Sequence, residues 1–167
     1  GRSQLREQTI LAETSDGRVV SDNLLANNDR GWYLDLIVNG VARGERVISS
    51  LTYLSEKIIF STIIPTANPC DFGGESWLME LNALNGARLN YNVFDINNDG
   101  QFNSGDSTNI GTGGTTTLVP TSGIQSDVGL VSSPSILNAG DKEYKYMPGT
   151  SGGIQKINEN PGAQING

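Results

Sequence analysis

The chain has 167 residues, 11 Lys and Arg against 18 Asp and Glu, a net charge of −7, one Cys and no His. That length fits one domain, and without His no Ser-His-Asp triad, Cys-His dyad, HExxH zinc site or haem His ligand can be built within it. The lone Cys70 excludes an internal disulfide and a four-Cys zinc site, and the acidic balance argues against a nucleic-acid or anionic-membrane partner.

In chain order the periodicity is two. Residues 9–12 and 18–20 flank Asp16-Gly17, a favoured two-residue hairpin turn. In Gly31-Trp32-Tyr33-Leu34-Asp35-Leu36, the residues Trp32, Leu34 and Leu36 read as the inner face of a strand, with an aromatic binding platform as the other reading. The stretch 45–64 is long enough for a helix but dense in β-branched residues, which predicts two strands joined near Ser55-Glu56-Lys57. Cys70, between Pro69 and Asp71, is either a buried apolar residue or half of a bridge to a partner outside the chain. Trp77, Met79 and Leu81 share one face of a strand, and Leu89, Tyr91 and Val93 alternate with polar residues in a predicted strand 88–94. Further strands are expected near 130–137, 143–147 and 153–158. The Gly/Thr-rich, nearly uncharged stretch 107–127 reads as a long flexible surface loop. No apolar run approaches the roughly 18 residues of a membrane span. The opening Gly1-Arg2-Ser3 reads as an excised fragment or mature product.

A faint internal repeat sharpens the all-β reading. Residues 81–90 lie over 157–166, sharing Asn82/Asn158, Gly86/Gly162, Ala87/Ala163 and Asn90/Asn166, and 47–54 lie over 130–137. Strand–turn–strand repeats of this kind build propeller blades. The expectation is a single domain over 1–167: a modified β-propeller, or the arc of its last blades, made of four-stranded antiparallel sheets.

The sharpest chemical signal is the stretch 95–106, which begins Asp95-Ile96-Asn97-Asn98-Asp99-Gly100 and ends in Asp106. It matches the start of a calcium loop: oxygen donors at alternate positions converge because a glycine at the sixth permits the sharp turn. Asp95, Asn97, Asp99, the Gln101 carbonyl and Asn103 occupy positions one to nine, and Asp106 the twelfth, where a longer Glu is usual. The flanks cannot make helices, so the expectation is a Ca²⁺ loop between strands rather than an EF-hand. A plain Asn-Asp-Gly turn is the alternative. With few carboxylates, affinity is expected on the order of 10⁻⁵–10⁻³ M, the extracellular range. Asp71, Glu75 and Glu80 offer paired carboxylates for glycoside hydrolysis only if the fold gathers them, which their spacing does not require. The runs Gly73-Gly74-Glu75-Ser76 and Gly149-Thr150-Ser151-Gly152-Gly153 lack the Gly-Lys-[Ser/Thr] of a phosphate loop and read as tight turns.

Several blocks, in order, resemble the C-terminal propeller of the PilC/PilY-type, type IV pilus tip-associated adhesins and pilus biogenesis factors. They are Gly31-Trp32-Tyr33-Leu34-Asp35-Leu36, Gly44-Glu45-Arg46-Val47, Asn68-Pro69-Cys70, the run from Gly73 to Leu84, Phe94-Asp95-Ile96-Asn97-Asn98-Asp99-Gly100, and Tyr144-Lys145-Tyr146-Met147-Pro148-Gly149-Thr150-Ser151-Gly152. The resemblance implies a modified β-propeller at the bacterial cell surface or pilus tip, exported through the periplasm. It implies a non-enzymatic role in pilus biogenesis, extension against retraction, and adhesion. Minor pilins or other pilus-assembly proteins are the implied partners, together with a host or abiotic surface. It further implies that the calcium loop is regulatory, with ligands at positions one, three, five, seven and nine; Asn103 departs from the acid usual at the ninth. The competing readings are a quinoprotein-like propeller enzyme and an unrelated secreted calcium-binding structural repeat.

Overall fold

The computed structural model describes residues 1–15, 17–66, 68 and 73–162. Strand makes up 42% and helix 4%, as an all-β chain requires. In chain order the strands are β1 (Arg6–Gln8), β2 (Ile10–Glu13), β3 (Arg18–Val20), β4 (Trp32–Leu34), β5 (Arg46–Val47), β6 (Thr52–Leu54), β7 (Lys57–Pro65), β8 (Gly74–Asn82), β9 (Ser107–Asn109), β10 (Leu118–Pro120), β11 (Gly123–Gln125), β12 (Ser135–Asn138), β13 (Glu143–Pro148) and β14 (Ile154–Glu159).

A seven-stranded sheet runs β2-β3-β11-β8-β7-β5, with β6 also paired to β7. All its pairs are antiparallel, and it curls into half a barrel. β12, β13 and β14 form a three-stranded antiparallel sheet, β9 pairs with β10, and β1 lies parallel to β4. The hairpins follow from local chemistry. β2 and β3 pair across the expected turn, whose Asp16 lies outside the described residues. β6 and β7 pair Leu54 with Lys57 around Ser55 and Glu56. Both turn residues have left-handed φ, 49° and 63°, as a two-residue hairpin turn of matching twist demands.

The long β7–β8 ladder runs from Lys57 opposite Asn82 to Pro65 opposite Gly74. Because side chains alternate, one face carries Phe60, Trp77, Met79 and Leu81, which pack with Ile10 and Val20. Trp32, Leu34 and Leu36 pack against this cluster, the inner-face reading of that segment, and the Trp32 indole N–H donates to the Ala83 carbonyl at 3.1 Å. The other face carries Ile59 and Leu78, which pack against Met147 of β13 and Ile157 of β14.

The repeat takes physical form as two antiparallel strand triplets, β6-β7-β8 and β12-β13-β14. After each triplet comes a glycine with left-handed φ that seats an aromatic ring. A Cβ on Gly86 would lie 2.2 Å from the Trp32 ring, and one on Gly162 2.4 Å from the Tyr91 hydroxyl. The rest of the second copy, 163–166, lies outside the described residues, as do Pro69, Cys70 and Asp71.

Three expectations are corrected. The sheets have two, three or seven strands among the described residues, not four. Residues 88–94 are not a strand: Val93 and Phe94 are both buried, which breaks the alternation, and only Phe94 makes a β-bridge, to Glu159. Residues 107–127 are not one surface loop but hold β9, β10 and β11. β11 is central to the large sheet, between β3 and β8. Its Gly123 is required by close approach, since a Cβ there would lie 2.3 Å from the Met79 sulfur. Small Gly and Thr residues that suggest a loop here let a strand pass over a crowded core. No helix among the described residues is long and apolar enough to cross a membrane.

Candidate functional site

Two gatherings of carboxylates bear on a candidate site. The first is the 95–106 loop, which leaves the Phe94–Glu159 bridge and enters β9 through a 3-10 turn at Ser104–Asp106. Its curvature is set by left-handed backbone at Asn98 (φ 57°) and Gly100 (φ 77°). Asp106 is fully buried and braces the loop from below. Its Oδ1 accepts the N–H of Ile96 (2.8 Å) and Asn97 (3.4 Å), and its Oδ2 accepts that of Asn103 (3.0 Å). Asn103 caps the 3-10 turn by accepting the Gly105 N–H at 2.7 Å. Asn97 Oδ1 accepts the Asp99 N–H, and Asp99 Oδ1 accepts the Gln101 N–H at 2.7 Å. The Asn97 amide lies beside Asn103: a Cβ on Gly105 would be 2.9 Å from the one and 3.1 Å from the other.

Asp95 is the informative member. Its Oδ2 accepts the Gly100 N–H at 3.0 Å and the Asn158 amide at 2.7 Å. Its Oδ1 is buried and has no hydrogen-bond partner. A buried, bare carboxylate oxygen is costly unless a cation or donor meets it. Calcium takes roughly six to eight oxygens in flexible geometry, and this loop offers carboxylate, amide and carbonyl oxygens. The donor set therefore fits Ca²⁺. A cavity beside the loop is lined by Asp95, Asp99, Tyr144, Lys156 and Asn158, with the Lys156 ammonium 4.3 Å from the Tyr144 ring centroid. The Lys142 ammonium donates to the Gly100 carbonyl at 3.1 Å.

The second gathering lies between the two strand triplets. Lys57 of β7, Glu80 of β8, Glu143 and Lys145 of β13 and Glu159 of β14 are all buried. One oxygen each from Glu80, Glu143 and Glu159 lies within 4.8 Å of the others, a spacing that can hold a metal ion. The Lys145 ammonium stands among them, 2.6 Å from Glu80, 2.5 Å from Glu143 and in contact with Glu159. Lys57 adds a second ammonium, 2.9 Å from Glu80 and 3.5 Å from Glu143.

Burial pushes the Glu159 carboxyl well above the usual range, and the Glu80 carboxylate beside it pushes the same way. Burial acts alike on Glu80, but Lys145 and Lys57 overcome it and hold that carboxyl below its ordinary value. For both lysines burial works toward neutrality, and the surrounding glutamates win and raise them. Lys57 and Lys145 thus face Glu80 and Glu143, and Glu159 is the carboxyl that burial biases toward its neutral form.

Of the other candidates, Glu75 and Glu80 point to opposite faces of β8; Glu75 is exposed and lies 3.6 Å from Arg43. The fold sets Glu80 beside Glu143 and Glu159 instead. Reading the sequence missed this cluster because Glu143, Lys145 and Met147 occupy the inward register of β13, while Tyr144 and Tyr146 point outward. The available signal was opposite charge two residues apart on one strand, Glu143 and Lys145, which the alternation places on one face.

No family model matches the chain. Over 118 residues, 62% of its length, it is 32% identical to the type IV pilus biogenesis factor PilY1 of Pseudomonas aeruginosa PAO1, and covers 10% of that protein. Over 93 residues, 52% of its length, it is 36% identical to a PilY1 homolog of Xylella fastidiosa, covering 6% of it. The chain thus spans a tenth or less of these relatives. The crystal structure of the P. aeruginosa PilY1 C-terminal domain superposes with a TM-score of 0.76 at 23% identity, over 98% of this chain and 33% of that one, so the two share a fold. In sequence the chain is similar to a segment of PilY1-type type IV pilus biogenesis factors, and in fold it matches part of the PilY1 C-terminal domain.

Proposed function

We propose that the chain is a calcium-binding, non-enzymatic region of a type IV pilus biogenesis factor, acting at the cell surface or pilus tip. Asp95, Asn97, Asp99 and Asn103 hold Ca²⁺ through their side chains and Gln101 through its carbonyl. Asp106 is the sixth candidate, its carboxylate already holding three backbone N–H groups. The observation that carries the reading is the buried Asp95 Oδ1, which lacks a hydrogen-bond partner. When bound, the ion supplies positive charge that offsets repulsion among Asp95, Asp99 and Asp106. The chain's own residues do the rest: Asp106 fixes the floor, Asn98 and Gly100 fix the bend, and Asp99 and Asn97 order the rim.

The loop then presents a different surface to pilus-assembly proteins such as minor pilins, and this is how calcium would regulate extension, retraction and adhesion. Similarity to proteins named for pilus biogenesis supports the setting. Calorimetric titration with Ca²⁺ and Mg²⁺ tests the metal. The unaltered chain should bind Ca²⁺ in preference to Mg²⁺, with Kd on the order of 10⁻⁵–10⁻³ M. Asp99→Ala should lose binding at those concentrations, and equal heats from both proteins would reduce the loop to a turn.

A further inference from the structure

We propose that Asn158 is a positioning residue for the candidate calcium loop, holding the first-position carboxylate so that one oxygen is left for the ion. The inference rests on the calcium reading above. Asn158 lies 63 residues from Asp95, in another sheet element and outside the loop pattern. A carboxylate rotates readily about its Cβ–Cγ bond, so which oxygen faces a ligand must be fixed by what holds the other. Here Oδ2 takes two donors from different directions: the Gly100 N–H from within the loop and the Asn158 amide from β14. That leaves Oδ1 buried and bare. The orientation of Asn158 is not ambiguous, because only the NH₂ end of an amide can meet a carboxylate oxygen.

The mount is rigid. The Asn158 backbone carbonyl accepts the Asp95 N–H at 3.1 Å, so main chain and side chain clamp the same residue. Asn158 pairs with Tyr144 in the β13–β14 ladder, and its neighbours Ile157 and Glu159 are buried in the core between the triplets. A ligand group seated on a strand is placed more finely than one held by its own loop. Partners that orient metal ligands are typically worth 10–100-fold in metal affinity.

The test is Ca²⁺ titration of the full chain by calorimetry, paired with thermal melts in EDTA. Asn158→Ala should weaken Ca²⁺ binding by about tenfold. Its melt in EDTA should match that of the unaltered chain, since the backbone clamp persists. Asn158→Gln, which keeps an amide donor, should recover part of the affinity. Binding in Asn158→Ala equal to the unaltered chain overturns the inference alone. A lowered EDTA melt with no recovery in Asn158→Gln assigns a general packing role and also overturns it. No binding by the unaltered chain overturns the calcium reading itself, and this inference with it.

Discussion

The loop at 95–106 and the cluster between the strand triplets both bring three acids together, yet they handle negative charge in opposite ways. In the cluster the compensating cations are part of the chain: Lys145 touches all three glutamates and Lys57 reaches two of them. In the loop the donors are backbone N–H groups and the Asn97 and Asn158 side-chain amides, and one buried oxygen of Asp95 is left without any. The difference tracks position. The cluster lies in the core, where charge must be matched for the two sheets to close. The loop lies at the rim, with Asn97, Asp99 and Asn103 exposed, where an ion can come and go. Three carboxylates near one another are therefore not a metal site by themselves; whether an ammonium already stands among them decides.

Breaking the internal cation should have the largest effect. Lys145→Met leaves Glu80, Glu143 and Glu159 with Lys57 alone, and should cost about 3–5 kcal/mol in urea unfolding. Lys145→Met combined with Glu80→Leu removes a charge of each sign and should recover part of that loss. If both variants unfold like the unaltered chain, the cluster is not what holds the triplets together. The external cation should act on the loop only. At calcium a hundredfold above Kd the unaltered chain should gain about 2.7 kcal/mol, and EDTA should abolish the gain. Asp95→Asn should show no such gain, whereas Glu143→Gln should still take up the ion with unchanged stoichiometry.

A pH series separates the two regions further. Glu159 has a raised folded-state pKa, so it binds its proton more tightly folded than unfolded. Its contribution is fully present below the ordinary carboxylate pKa and is lost as pH rises through the raised value. Glu80, held below its ordinary value, behaves in reverse: its contribution is present above the ordinary pKa and fades only as pH falls through the lowered one. Glu159→Gln keeps a neutral side chain at that place at every pH. Its melting temperature should therefore decline less than that of the unaltered chain as pH rises above the ordinary glutamate value. Parallel melting curves across the series would show that Glu159 does not hold the proton.

The strand order of the fold was partly legible in the sequence, and the physical reasons divide cleanly. The β2–β3 and β6–β7 hairpins were readable because turn chemistry and β-branched density are local. The bend within 95–106 was readable because Gly100, which permits the sharp turn, lies inside the same short run. Residues 88–94 and 107–127 were misread because their structure is decided by distant neighbours. Tyr91 and Phe94 settle against elements more than sixty residues on, and β11 finds its place against Leu78 and Met79. Lys57, Glu80, Glu143, Lys145 and Glu159 were invisible as a group for the same reason, since each alone reads as an ordinary surface charge. Asn158 shows the limit most clearly: Asp95 could be singled out from its own short run, but its hydrogen-bond partner lies 63 residues on.

The smallest expected effect concerns an ammonium that does touch the loop. Lys142 donates to the Gly100 carbonyl, at the bend that brings the oxygen donors together. It is half-buried rather than enclosed, so it differs from Lys145 in being screened by water and salt. It does not replace the ion, because it bonds a carbonyl outside the proposed ligand set and leaves Asp95 Oδ1 bare. Its charge nevertheless opposes the approach of a divalent cation, while its hydrogen bond helps hold the bend. If repulsion outweighs ordering, Lys142→Ala should tighten Ca²⁺ binding by about two- to threefold at low salt, the scale of a partly exposed charge pair. The gain should shrink toward nothing at about 1 M salt, where the Debye length falls to about 3 Å. Weaker binding at both ionic strengths would mean that Lys142 serves the loop as a brace. The contrast between an internal cation for the core and an external one for the rim would then give way to a loop that uses both.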